Sequence, residues 1–447
     1  MKKLFGTDGM RGLAGEFPLD AKTIEIAGRS LAKQFAEKLG RTPRFITGRD
    51  TRESGNWIEE AFHTGAKSEG AECESADVIT TPGVAFLTKN FDFDAGIVIS
   101  ASHNPFEDNG IKIFAPTGKK IDGETERRIE SDIFEEQSAV SGQRSAVDYS
   151  RATEYQEAYL DYLAEEFGDL RLENFKMIVD CANGAAAALA PRLFERFGAE
   201  IVAINCAPDG RNINKDCGSL HLEKLQARVL EENADFGVAF DGDADRSLFV
   251  DEKGNLVDGD AVLWIMAQFL SEHERLKNQT VVATVMSNIG LEIALNSRKF
   301  KLLRTAVGDK YVLEELLKTG ASVGGEQSGH IIFPEKSLVG DGMMTTLFLL
   351  ESLYEKRRTL SEMTKGFTRY PQILVNVKVR EKRPFEEVFE IVEASKLLEN
   401  ELDGKGRLLL RYSGTENLAR VMIEGENQTQ IETQAHRLAD VIRTSLG

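Results

Sequence analysis

Apolar, β-branched runs alternate along this chain with amphipathic stretches, and the alternation predicts its elements. Strand-like runs fall at 44–47, 95–99, 176–179, 200–204, 236–240 and 281–285, and helix-like stretches at 21–39, 184–197, 260–276 and 309–317. Strands alternating with helices argue for α/β units built on mostly parallel sheets. After Pro371 the pattern changes: 373–379 reads as a strand, a helix follows, then strands at 407–412 and 419–424 and a closing helix. That tail reads as a smaller α+β domain. Polar, turn-rich breaks near 138–150, 251–259 and 367–371 mark seams. There is no internal sequence repeat and no low-complexity tract.

Length and charge narrow the class. A chain of 447 residues is too long for one core, so two to four domains are expected. Its 41% hydrophobic and 29% charged residues describe an ordinary globular protein. The longest apolar run, 261–270 around Trp264, is too short to span a bilayer. The N-terminus has lysines but no apolar segment behind them, unlike a signal peptide. Cys73, Cys181, Cys206 and Cys217 show no Cys-x-x-Cys spacing, and only six histidines accompany them, so a reduced, cytoplasmic enzyme without structural zinc is expected. The net charge of −18 disfavours nucleic acid as a partner. A small phosphorylated ligand needs only a local concentration of cations, and Arg11, Arg49, Arg52, Lys112, Arg246, Arg411 and Arg420 all sit in or beside Gly-, Asp- or Ser-rich loops.

Four loops carry candidate chemistry. In Val98-Ile-Ser-Ala-Ser-His-Asn-Pro105 a buried-looking strand ends in small and turn-forming residues, which would expose Ser102 as a nucleophile or phosphoryl carrier, with His103 beside it. A Ser/Asn turn bonding to its own backbone is the plainer account of that segment alone. In Asp241-Gly-Asp-Ala-Asp-Arg246, just beyond the run 236–240, the carboxylates of Asp241, Asp243 and Asp245 can converge on one cation, and all-oxygen ligation suits Mg²⁺. A calcium EF-hand is the rival, with Glu252 at its twelfth position, but Arg246 stands where that loop requires glycine and β-like runs flank it.

In Gly324-Gly-Glu-Gln-Ser-Gly-His330 an extended segment would point Glu326, Ser328 and His330 the same way, a set suited to sugar hydroxyls; His330 taken alone reads as a structural hydrogen-bonder. In Arg411-Tyr-Ser-Gly-Thr-Glu-Asn417, followed by Arg420, the backbone and hydroxyls of Ser413, Gly414 and Thr415 lie between two arginines, the makeup of an anion nest. No Walker loop, Gly-x-Gly-x-x-Gly, Gly-x-Ser-x-Gly or His-Glu-x-x-His occurs, so nucleotide kinases, α/β-hydrolases and zinc proteases lose support.

In order and separation, these loops resemble those of the α-D-phosphohexomutase family from end to end. Phe5-Gly-Thr-Asp-Gly-Met-Arg-Gly12, Asp180-Cys-Ala-Asn-Gly184, Pro208-Asp-Gly-Arg-Asn-Ile-Asn214, Thr284-Val-Met-Ser-Asn288 and Gln327 look like the members that act on glucosamine phosphate. The resemblance implies three related α/β domains with mixed sheets and a smaller C-terminal α+β domain around a central cleft, divided here as 1–150, 151–254, 255–367 and 368–447. It implies that Ser102 carries the phosphoryl group and that Mg²⁺ is held by Asp241, Asp243, Asp245 and an oxygen on Ser102. The catalytic set would be Ser102, His103, Lys112, Arg11 and Arg246; Glu326, Ser328 and His330 would bind the sugar; Arg411, Ser413, Gly414, Thr415 and Arg420 would bind its phosphate.

The implied reaction converts glucosamine 6-phosphate to glucosamine 1-phosphate through a 1,6-bisphosphate, with glucosamine 1,6-bisphosphate or a relative as activator, supplying UDP-N-acetylglucosamine and wall precursors. The partner would be a small phosphosugar, with no nucleic acid or membrane, and the enzyme a monomer or homodimer. Lys112 matches the family's candidate base, a role that requires a lowered pKa; phosphate positioning is its alternative. Two features depart from the family: Tyr412 and Asn417 stand where relatives carry proline, removing φ restraint, and Lys310 stands where arginine is expected. Glucose- or mannose-phosphate mutases are the nearest rival reading. A Mg²⁺-dependent sugar phosphatase and a catalytically silent sugar-phosphate sensor are the others.

Overall fold

A computed structural model describes residues 3–135, 145–413 and 416–447. The chain divides into two compact bodies, Met1–Thr284 with Leu303–Lys365, and Val285–Leu302 with Gly366–Gly447.

The first body is built on mixed sheets. Its six-stranded sheet runs in the order Phe5–Gly6, Gly9–Leu13, Asp108–Phe114, Ala95–Ile99, Arg44–Arg49, Glu72–Val78. Arg44–Arg49 pairs in parallel with Glu72–Val78 and Ala95–Ile99, and the remaining pairs are antiparallel. A second sheet runs Leu256–Val257, Ser247–Asp251, Phe236–Phe240, Lys176–Asp180, Glu200–Ile204, parallel at its last two pairings. A third pairs Thr280–Thr284 in parallel with Gly324–Gly325, which turns back into Ile331–Ile332. The strands Ala95–Ile99, Phe236–Phe240 and Glu200–Ile204 and the helix Ala21–Leu39 fall on the residues their apolar patterns indicate. No helix among the described residues is long and apolar enough to cross a membrane.

The structure gives detail to three stretches singled out above, and corrects the first. The stretch 184–197 is a 3₁₀ turn, Ala185–Ala188, followed by a short helix, Ala190–Glu195. Pro191 lies in that helix's first turn, where its missing N–H costs no bond, so it starts a new helix rather than continuing the turn. Within the break at 251–259 the chain forms a hairpin, with Val250 and Phe249 paired to Leu256 and Val257. The helix Gly259–Glu272 begins only beyond it, with the Asp258 carboxylate accepting from Ala261 N at 3.1 Å. The seam at 138–150 lies partly outside the described residues, and its remainder is tied to the first sheet, with Ser75 N donating to Asp148 O at 2.9 Å.

Helices Ala21–Leu39 and Gly55–Ser68 cross at two glycines. A Cβ on Gly65 would lie 1.9 Å from Glu25 O, and one on Gly28 would lie 2.3 Å from Phe62 O.

The second body is a three-stranded antiparallel sheet, ordered Gln372–Lys378, Leu418–Gly425, Gly406–Tyr412, with helices Phe389–Leu402 and Gln428–Leu446. Val377, Val421, Ile423, Ile391, Leu398, Leu438 and Ile442 form part of its core. The helix Ile289–Ser297, distant in sequence, belongs to this body as well. Glu424, fully buried, accepts from Ile289 N at 3.1 Å, Asn288 Nδ2 at 3.3 Å and Arg407 Nε at 2.8 Å.

Two stability predictions follow from these contacts. Gly65→Ala should lower the urea midpoint: a helix-interior alanine contributes about 1 kcal/mol of propensity, and forcing apart two backbones costs about 1–3 kcal/mol or more. An unchanged or raised midpoint would refute the close crossing. Glu424→Ala leaves the half-buried Arg407 without its carboxylate and a helix N-terminus without its cap, and should cost about 1–3 kcal/mol, read as an early unfolding transition of the second body; a single unshifted transition would contradict it.

Candidate active site

Ser102 is not exposed, as the turn-rich sequence suggests, but 1% accessible. It follows the fully buried strand Ala95–Ile99 and holds a left-handed φ of 55°, which turns its side chain inward. Its Oγ donates to Asp241 Oδ2 at 2.5 Å and lies 3.2 Å from His103 Nδ1. Its N–H donates to Ser100 Oγ at 2.9 Å, and Ser100 Oγ in turn to Asp50 Oδ2 at 2.6 Å.

Asp241, Asp243 and Asp245 occupy the turn of the hairpin formed by Phe236–Phe240 and Ser247–Asp251. All three are buried, with a ligand oxygen from each within 4.8 Å of the others, the one such group among the described residues. Thr81 Oγ1 donates to Asp243 Oδ2 at 2.5 Å, and Arg246 N to Asp241 Oδ1 at 3.2 Å. Asp243 Oδ1 is buried with no hydrogen-bond partner among the described residues, and Asp245 Oδ1 faces only His330 Nδ1 at 3.6 Å and Arg246 Nε at 3.9 Å. Burial and its two neighbouring carboxylates push Asp241 well above the usual carboxylate range. Orphaned hard oxygens and a carboxylate forced toward neutrality are what a divalent cation corrects, so the donor set fits a metal. The EF-hand reading fails on geometry, because Glu252 turns away to accept from Ser361 N at 3.2 Å.

Cations ring this acidic group. Lys112, 1% exposed, places Nζ 2.8 Å from Asp243 Oδ2, 3.0 Å from Asp245 Oδ2 and 3.2 Å from Asp8 Oδ2. Burial disfavours its charge, but the three aspartates outweigh burial and raise its pKa well above the ordinary lysine value. That direction is opposite to the lowering that a base role requires and agrees with the alternative, the positioning of anions. Arg11 pairs with Asp8 and donates to Ala101 O at 3.4 Å. Asp8, though burial opposes it, is held well below the carboxylate range by Lys112, Lys120 and Arg11. Lys120 bridges Asp8 and Asp309 at 2.6 Å each. His103 is pushed down to about 4 by burial and by Arg246 and Arg11, so it is a neutral imidazole beside Ser102.

Beyond the short strand Gly324–Gly325, the segment 326–330 is a turn and does not continue extended. Gly329 N donates to Glu326 O and Glu326 N to His330 O, both at 3.0 Å, with Gly329 at φ 91°. Glu326 and Ser328 stay half-buried at the turn, while His330 is buried and directed at the aspartates. His330 Nε2 accepts from Gly340 N at 3.1 Å, which leaves its ring proton on Nδ1 toward Asp245. Gln327 Nε2 donates to Asp258 Oδ2 at 3.3 Å, fastening the turn to the cap of the helix Gly259–Glu272. Lys310 is exposed.

In the second body Arg411 and Arg420 stand directly opposite each other on paired strands. Arg420 Nη2 reaches Ser413 Oγ at 3.5 Å, and its buried Nε has no hydrogen-bond partner among the described residues. Burial, and then Arg420, lower the pKa of Arg411. Gly414 and Thr415 lie outside the described residues. Tyr412 stacks on Phe385 with centroids 4.1 Å apart, so ring packing restrains the base of this loop in place of proline.

Sequence reasoning missed Asp8 as the carboxylate shared by Arg11, Lys112 and Lys120. Its place in Phe5-Gly-Thr-Asp-Gly was the available signal. Nothing in the Lys119-Lys120 context marks Lys120.

Comparison with known proteins fits this geometry. Four family profiles match in order: phosphoglucomutase/phosphomannomutase alpha/beta/alpha domain I over 2–140, domain II over 157–254, domain III over 258–370 and the C-terminal domain over 374–441. A phosphoglucosamine mutase of Solibacter usitatus (strain Ellin6076) is 48% identical over 447 residues, covering 100% of this chain and 99% of that protein. One from Caldicellulosiruptor saccharolyticus is 47% identical, covering 100% of both. Among solved structures, a phosphoglucomutase/phosphomannomutase family protein from Burkholderia thailandensis superposes with a TM-score of 0.79 at 23% identity, over 100% of this chain and 98% of that one. Aspergillus fumigatus N-acetylphosphoglucosamine mutase, solved with GlcNAc-6P and magnesium, gives a TM-score of 0.68 at 19% identity over 99% and 96%. The chain belongs to the phosphoglucomutase/phosphomannomutase family, the α-D-phosphohexomutases, which are isomerases.

Proposed function

We propose that this enzyme interconverts glucosamine 6-phosphate and glucosamine 1-phosphate, with Ser102 as the phosphoryl carrier. The observation that carries the reading is Ser102 Oγ bonded at 2.5 Å to Asp241 of a buried carboxylate triad with orphaned oxygens. The relatives named phosphoglucosamine mutase, matched over the whole chain, support the amino sugar as substrate.

On this reading the four divisions 1–150, 151–254, 255–367 and 368–447 carry the serine loop, the acidic loop, the sugar turn and the phosphate loop. Asp241, Asp243 and Asp245 hold Mg²⁺, which supplies charge stabilisation to the phosphoryl group when bound. Arg11, Arg246 and the Lys112 ammonium surround the same position and stabilise charge on the transferred oxygens. His103, neutral and 3.2 Å from Ser102 Oγ, can exchange a proton at that oxygen. Glu326 and Ser328 meet ring hydroxyls, while His330 orients Asp245. Arg411, Ser413 and Arg420, with Gly414 and Thr415, grip the phosphate that is not reacting. A 1,6-bisphosphate forms in each cycle, and the sugar must present its other end to Ser102 before the product leaves; a bisphosphate activator restores enzyme that has lost its phosphoryl group.

In ³¹P NMR with Mg²⁺, glucosamine 6-phosphate and a trace of a hexose 1,6-bisphosphate, a 1-phosphate signal should grow. Ser102→Ala should lower that rate at least about 10³-fold. Inorganic phosphate released in step with substrate would make the enzyme a phosphatase, and faster turnover of glucose or mannose phosphates would overturn the amino-sugar assignment. Stripping divalent cations with EDTA should abolish turnover and adding Mg²⁺ restore it, while Asp243→Asn should raise the Mg²⁺ needed for half-maximal rate by about tenfold or more. Full activity in EDTA would refute the metal.

A further inference from the structure

Arg52, one of the loop cations singled out in the sequence, is fully buried, and its donors go to the protein itself. A guanidinium has five N–H donors, and every one of them is used. Nε donates to Asp50 Oδ2 at 2.8 Å; Nη1 donates to Pro105 O and, at 3.0 Å, to Asp108 O; Nη2 donates to Ser102 O at 3.0 Å and Asn104 O at 2.9 Å. Three of the five therefore end on carbonyls of the serine loop, and a fourth on the first residue of the strand Asp108–Phe114 that follows it. Asn214 comes from the loop after the strand Glu200–Ile204, in the second matched domain, and its Nδ2 donates to Ser102 O at 2.9 Å and Asn104 O at 3.1 Å. Both amide hydrogens are used, and they reach the same two carbonyls that Arg52 reaches. An amide oxygen turned toward two carbonyls would be repelled, so the chemistry fixes which way this side chain faces.

Ser102 is thereby held from both sides. Its N–H is anchored through Ser100 to Asp50, and its carbonyl takes one donor from Arg52 and one from Asn214. The residue so held has φ 55°, a conformation disfavoured for a side chain with a Cβ, which persists only where surrounding bonds impose it. The acidic loop closes against the same carbonyl, since a Cβ on Gly242 would lie 2.5 Å from Ser102 O and 3.1 Å from Asn214 Nδ2.

We propose that Arg52 and Asn214 are positioning residues for phosphoryl transfer: they clamp the left-handed backbone of Ser102 and so aim its Oγ at the Asp241 end of the acidic loop. The proposal rests on Ser102 being the phosphoryl carrier. The clamp joins residues of two domains at one peptide, so the nucleophile's direction is set where those domains meet and not by its own loop.

The test is steady-state kinetics and ³¹P NMR of full-length wild type, Asn214→Ala, Asn214→Asp, Arg52→Lys and Ser102→Ala, each with its melting temperature. Asn214→Ala leaves both carbonyls bonded to Arg52, so it should fold with a melting temperature within a few degrees of wild type. Its kcat should fall about tenfold to a hundredfold with KM within about twofold, as for a misaimed nucleophile. The ³¹P resonance of the phosphorylated serine should shift or broaden. Asn214→Asp keeps the shape but offers no donor, so it should not restore kcat. Arg52→Lys, with three donors for five acceptors, should fall further when rates are normalised to folded enzyme.

An Asn214→Ala enzyme with kcat within twofold and an unmoved ³¹P resonance would overturn the clamp. A raised KM at normal kcat would also overturn it, in favour of substrate binding. Loss of melting temperature with an unmoved resonance and a normal rate per folded molecule would reduce both residues to structural parts and overturn it too. Should Asn214→Ala not fold, Asn214→Asp is read by the same criteria. Mutase activity surviving in Ser102→Ala would instead bring down the phosphoserine reading itself.

Discussion

Four carboxylates, Asp8, Asp241, Asp243 and Asp245, are gathered in one interior region around a lysine that is itself almost fully buried. Like charges this close and this poor in water cannot all stay ionised without compensation. The first body is arranged around supplying it. Lys112 answers three of the four, Lys120 and Arg11 answer Asp8, and His330 turns its Nδ1 toward Asp245. Asp241 is left over, and burial together with its neighbours pushes its pKa up. A site with one carboxylate uncompensated and two oxygens orphaned gains most from one more positive charge. Any affinity for a cation would thus depend on the whole charge balance, including Asp8 and Lys120, which touch none of the ligand oxygens of the triad's free side.

Such a balance needs rigid supports, and the strands provide them. Ser102 and Lys112 lie on or just beyond neighbouring antiparallel strands, with Val98 directly opposite Lys112. The triad sits at the turn of a hairpin whose five residue pairs are all in register. The strain at Ser102, about 1–3 kcal/mol for a non-glycine residue in the left-handed region, is small beside the bonds that enforce it. A flexible loop would relax that strain and lose the direction of Ser102 Oγ toward Asp241.

Local patterns made much of this legible in the chain. Continuous apolar runs ended within about two residues of the strand ends, and three aspartates at alternate positions after such a run marked a buried acidic cluster that could hold a cation. What local reading missed comes from contacts between distant segments. Ser102 read as exposed because small turn residues usually are; in the fold it is buried, with its loop carbonyls bonded to Arg52 and Asn214. Gly324–His330 read as extended from its alternation, yet Gly329 takes a positive φ and closes a turn. Lys112 read as a base needing a lowered pKa, and only the fold shows it among three aspartates. The helix Ile289–Ser297 has nothing in its own sequence to place it with the C-terminal strands. Glu424, more than a hundred residues away, places it there by capping its first N–H.

The two bodies present opposite electrostatic problems built by the same means. In the first, carboxylates are crowded until one is driven toward neutrality. In the second, Arg411 and Arg420 are fixed directly across a strand pair, and the pKa of Arg411 falls in response to burial and to its neighbour. Like charges set opposite each other on paired strands are destabilising, and a chain of net charge −18 has no shortage of acidic residues to separate them. Glu416, the nearest, stays 4.0 Å from Arg420 and largely in solvent. Repulsion left standing beside an unpartnered Arg420 Nε is energy that an incoming dianion recovers. In each body the strain is local, and the chain's overall charge of −18 relieves neither.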